Sequence, residues 1–168
     1  MQAPTPLARH LNLEIESTPN LNEMAFGLLE GETLVDCDDW TASTWNWWLE
    51  DPLTRRIPGG GECYTDLLNR IDAFLARLAS LDGQGDILVV SHFRANQMLT
   101  GRLLGLTPPE ALAILQPNDL VYRIRLTSHT RPTIDHALAI ADQDPVWEPG
   151  LFTSPHARGP VAHAAVSS

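Results

Sequence analysis

A chain of 168 residues with 43% apolar content is sized for one domain with a real core, not for a disordered polymer. Its 11 basic residues, all Arg, face 21 acidic ones, and the resulting formal charge of −10 argues against a nucleic-acid partner, which needs a basic face. Cys37 and Cys63 are too few for a disulfide framework, no signal-like segment opens the chain and no apolar run approaches membrane-spanning length, so a soluble, cytoplasmic protein with no membrane partner is expected.

Residues 2–12 are predicted to form a helix, with Leu7, Ala8 and Leu11 on one face and Pro4 and Pro6 confined to its first turn. Leu13 to Glu16 is a brief strand candidate. Gly27 and Gly31 suit a loop that needs unusual dihedrals. Four of the five Trp fall between Asp36 and Trp48, as a core patch, a flap over a cleft, or an apolar wall for a hydrophobic or aromatic part of a substrate. Gly59, Gly60 and Gly61 then turn the chain into an amphipathic helix near 65–80, marked by Leu67, Leu68, Ile71, Phe74, Leu75 and Leu78.

Ile87 to Val90 is a continuous apolar run rich in β-branched residues, which predicts an internal parallel strand covered by helices. Ala95, Met98, Leu99 and Leu103 recur at helical spacing, giving a helix near 94–105. Thr107, Pro108 and Glu110 make a capping box with Pro at the first helical position. Residues 120–127 alternate as a half-buried strand, followed by a second strand over 134–138 at the sheet edge. The domain is assigned to residues 1–141. Residues 142–168 are read as a Pro-rich tail, expected to be disordered.

The chemistry centres on Ser91-His92-Phe93, where a strand is expected to end and a helix to begin. Open α/β sheets bind ligands there, and a helix N-terminus offers free N–H groups to an anion. An imidazole at that point can hydrogen-bond a phosphoryl oxygen, with the Phe93 amide beside it. Arg56, in Arg55-Arg56-Ile-Pro58, is a candidate for positive charge at the mouth of the site. His129, His136, His156 and His163 have no ligand pattern around them, so no metal site is expected.

Four stretches in order resemble the histidine phosphatase (phosphoglycerate mutase-like) superfamily. They are the opening Pro-Leu-Ala helix, Leu21-Asn-Glu23-Met-Ala-Phe-Gly27-Leu-Leu-Glu30-Gly31, Pro58-Gly-Gly-Gly-Glu62-Cys63, and Val89-Val-Ser-His92 with Arg102-Leu-Leu-Gly-Leu106. Arg70 stands where the family has its common Arg. The resemblance implies an α/β three-layer sandwich with a mostly parallel central sheet, N-terminally truncated. It implies phosphomonoester hydrolysis through a phosphohistidine, without metal or organic cofactor, on a small phosphorylated metabolite. His92 would hold the phosphoryl group and Glu23 would serve the leaving oxygen.

The family's Arg-His-Gly nucleophile motif is nowhere in the 168 residues, and Arg9-His10 is no substitute, because Leu11 follows it within a helix. This chain is therefore expected to be inactive by itself. The alternatives are a non-catalytic member that binds a phospho-ligand or protein, or one half of a complemented or domain-swapped assembly. An unpaired strand edge beside His92 also invites a homodimer.

Overall fold

The computed structural model describes residues 4–33, 37–80, 85–127, 130–139 and 143–153. Helix α1 (Thr5–Leu11) ends at Asn12, whose φ of 53° is a left-handed stop that Asn tolerates. Of its predicted apolar face only Ala8 is buried. Residues 13–16 form no strand. A loop containing one 3-10 turn at Pro19–Leu21 and another at Gly27–Leu29 leads to α2 (Asp39–Leu49).

Helix α2 was not foreseen in the sequence, since Trp, Thr, Ser and Asn are indifferent helix formers. Its start is set by Asp38, whose carboxylate accepts from the Thr41 N–H at 2.7 Å. Helix α3 (Tyr64–Ala79) matches the expected amphipathic segment and buries Tyr64, Leu67, Leu68 and Ile71. Helix α4 (Phe93–Leu104) packs Ala95, Met98 and Leu99 into the same core and closes at Gly105 in the left-handed region. Helix α5 (Pro108–Leu112) starts with the expected Thr107–Glu110 capping box.

Strands β1 (Leu120–Arg125) and β2 (Thr133–Leu138) form an antiparallel pair, with Leu120 opposite Leu138 and Arg125 opposite Thr133. A short third strand, β3 (Glu148–Pro149), pairs antiparallel with β2, so part of the segment read as a disordered tail belongs to the sheet. His136 and Phe152 hold it there: the His136 ring bonds the Gly150 carbonyl at 2.9 Å, and the Phe152 N–H donates to the Tyr122 hydroxyl.

Helices with a small antiparallel sheet agree with the expected α/β class, but the parallel strand at 87–90 is not seen. Residues 86–92 pair with no strand, and Ile87, Leu88 and Val90 are 52%, 56% and 45% exposed. Only Val89 of this run packs against the core. A continuous apolar run signals a strand flanked on both faces, and among the described residues it has no neighbouring strand.

Candidate functional site

Glu23 lies in irregular loop, yet its side chain is fixed. The carboxylate accepts from the Arg94 N–H at 3.1 and 3.2 Å and from the Ala95 N–H at 3.3 Å, both in the first turn of α4. Its own neighbour, the Met24 N–H, adds a third donor at 2.9 Å. A carboxylate seated on the first turn of a helix faces unsatisfied N–H groups and the positive end of the dipole. Met24, 1% exposed, anchors the loop in the core directly after it.

His92 is the residue before α4, and its imidazole is exposed and makes no capping bond. Its carbonyl starts the helix by accepting from Asn96. Glu23 and His92 are thus brought to one end of one helix although about two-fifths of the chain separates them in sequence. Phe93 is also exposed, and the Arg94 guanidinium lies 4.8 Å from its ring centroid. Ser91 ties the segment to the Glu23 loop by donating its hydroxyl to the Leu21 carbonyl at 2.6 Å.

Arg56 is engaged elsewhere. Its guanidinium pairs with Asp66 in the first turn of α3, and its bonds go to none of Glu23, His92 and Phe93. The hydrogen bond to Asp66 raises the Arg56 pKa and lowers that of Asp66, so the pair neutralises itself.

Two residues that the sequence did not single out complete the surroundings. Tyr64 is buried, and burial pushes its hydroxyl pKa up, with smaller opposing effects of the Arg94 charge, which lowers it, and the Glu23 charge, which raises it. Arg94 itself donates to the Gln97 side chain. No periodicity or motif marks either one. Behind Tyr64 stand Trp48, at 5.6 Å between ring centroids, then Trp45 and Phe26. Of the Trp-rich stretch, Trp48 is core and Trp45 is packed against it, while Trp40 and Trp47 remain exposed.

Among the described residues no group of three or more His, Cys, Asp or Glu side chains is arranged to hold a metal ion, and no helix is long and apolar enough to cross a membrane.

Comparison with known proteins bears on this arrangement. Over 100 residues the chain is 35% identical to the adenosylcobalamin/alpha-ribazole phosphatase of Escherichia coli K12, covering 60% of this chain and 48% of that protein. The Salmonella typhimurium protein of the same name is 31% identical over 86 residues, 51% of this chain and 42% of its own length. The chain therefore spans about half the length of these relatives. In structure it resembles the alpha-ribazole phosphatase of Shigella flexneri, with a TM-score of 0.58, 24% identity, and coverage of 73% of this chain and 60% of that one, a likeness of fold. The model of the histidine phosphatase superfamily (branch 1) matches residues 1–137, and the chain belongs to that superfamily.

Proposed function

We propose that this chain carries the acid and phosphate-binding part of a phosphomonoesterase that works through a phosphohistidine. The observation that supports this reading is the seating of Glu23 on the first turn of α4, beside His92. In the proposed reaction an incoming phosphoryl group takes the exposed end of α4, with the His92 imidazole and the Phe93 N–H on its oxygens. The departing alkoxide needs a proton, and Glu23 supplies it, then accepts one from the water that hydrolyses the phosphohistidine. The names of the relatives suggest alpha-ribazole phosphate as the substrate. Arg56, paired with Asp66, is given no part in this reaction. The reaction draws on no metal or organic cofactor and is placed in the cytoplasm.

The finer fold proposed for the working protein is the mostly parallel three-layer sandwich. Its support is the exposure of Ile87, Leu88 and Val90, an apolar edge suited to a neighbouring strand from a further stretch of chain or from a second copy in a homodimer.

By itself the 168-residue chain is expected to turn over little or nothing, since loss of a covalent nucleophile costs several orders of magnitude. The test is hydrolysis of an aryl phosphate and of alpha-ribazole phosphate by the pure chain, beside a chimera carrying an Arg-His-Gly strand and its helix. Turnover by the chimera, lost in His92→Ala and reduced in Glu23→Gln, is expected. Robust turnover by the unmodified chain would refute the inactivity; silence from both, with a protein co-purifying, would favour a non-catalytic binding role.

A further inference from the structure

We infer that Arg70, held by Glu62, is a positioning residue that sets the Glu23 carboxylate on α4. The loop around Glu23 has no ladder or α-helix to fix it beyond the 3-10 turns at Pro19–Leu21 and Gly27–Leu29. Arg70, on α3, supplies the missing framework. Its Nη1 donates to the carbonyls of Pro19, Asn20 and Asn22 at 3.1, 2.9 and 3.3 Å. Its Nη2 reaches the Asn22 and Glu23 carbonyls at 3.3 and 3.4 Å.

The guanidinium also grips Glu62 side-on, Nε to Oε1 at 2.7 Å and Nη2 to Oε2 at 2.8 Å. Glu62 in turn accepts the Ala25 N–H on Oε2 at 2.9 Å, and its own N–H donates to the Ala25 carbonyl at 2.8 Å. The backbone is thus held before Glu23, at Glu23 and after it. Both side chains of the ion pair are about four-fifths buried, so neither is a solvated surface charge.

These seven contacts exceed the five N–H groups of the planar fork, so the longer ones, at 3.3 and 3.4 Å, are shared; an ammonium has only three donors on a point charge. The catalytic meaning of the clamp rests on the reading of Glu23 as the leaving-group acid; its geometry does not. The consequence is a coupling between residues that do not touch: loosening Arg70 should release the Arg94 and Ala95 amides, which bond Glu23 and not Arg70.

Amide hydrogen exchange of the full 168-residue chain, read by NMR, tests this without any turnover. In Arg70→Lys, and in the isosteric Glu62→Gln that keeps the packing, the Arg94 and Ala95 amides are expected to exchange about tenfold faster or more, with α3 core amides such as Ile71 within about twofold of the parent. Glu23→Ala, which removes the acceptor, should produce the same acceleration, and adding Arg70→Lys to it should add nothing. Unchanged Arg94 and Ala95 exchange would overturn the inference, as would acceleration spread evenly over α3 and α4, or full additivity in the double variant. Failure of the phosphatase reading would leave these rates untouched, so the two outcomes are separable.

Discussion

Glu23 shows how a single residue becomes informative only through its neighbours. As a loop glutamate it is unremarkable, and only the motif with Gly27 and Gly31 sets it apart. The glycines do have the unusual dihedrals expected, φ of 55° at Gly27 and 79° at Gly31. Their surroundings differ. A Cβ on Gly27 would sit 2.2 Å from the Pro58 carbonyl oxygen and 2.8 Å from the Gly61 nitrogen, whereas one on Gly31 would meet nothing within 4 Å. The Leu28 N–H donates to that same Pro58 carbonyl, so the two loops are bonded at the point of closest approach. Gly27→Ala is therefore expected to cost about 2–4 kcal/mol, from strain plus collision, and Gly31→Ala about 1 kcal/mol, from strain alone. Urea denaturation of both variants checks this; equal losses would mean that the Gly27–Pro58 contact carries no weight.

Elements were legible in proportion to how local their signals are. The amphipathic faces of α3 and α4 and the capping box of α5 need only nearby residues, and each is found where expected. The strand at Ile87–Val90 is a signal about neighbours, and the described residues supply no partner strand to bury it. Helix α2 shows the reverse case: its residues propose little, and the Asp38 cap together with burial of Trp48 makes the helix. The packing of α4 on α5 was hidden for another reason, because Gly101 has no side chain to show in a pattern. A Cβ there would lie 2.4 Å from the Ala111 Cβ, so the two helices touch through the absence of a methyl group. Gly101→Ala should destabilise the chain through overpacking, by about 1–3 kcal/mol despite the better helix propensity of Ala. Ala111→Gly in the same chain should recover part of that loss. Additive losses in the double variant, by denaturant titration, would show that the helices are not in contact at this point.

At the scale of the whole molecule two electrostatic effects oppose each other as pH falls. The chain carries −10 at neutral pH with an isoelectric point near 4.8, so mild acidification relieves self-repulsion and favours the folded state. Against this stand carboxyls that the fold holds below their ordinary range. Asp66 is held down first by its hydrogen bond from Arg56, and Asp135 by those from Arg123 and Arg125. For Glu62, burial pushes upward, but the Arg70 hydrogen bond, the Ala25 N–H and the Arg70 charge together outweigh it. A carboxyl with a depressed folded-state pKa stabilises the fold above its unfolded pKa, and that contribution is lost as pH drops through the folded value. Relief of repulsion should therefore govern from pH 7 down to about 5, and loss of paired carboxylates should govern below about 4.3. The expected profile of Tm against pH has its maximum near the isoelectric point and falls on the acid side. Glu62→Gln should be less stable than the parent at pH 7 and converge on it in acid, since it has no carboxylate to lose. Salt should raise Tm at pH 7 more than at pH 5, because only at the higher pH is there a large net charge to screen. A profile that declines steadily from pH 7 downward, with no salt effect, would show that paired carboxylates outweigh net charge across the whole range.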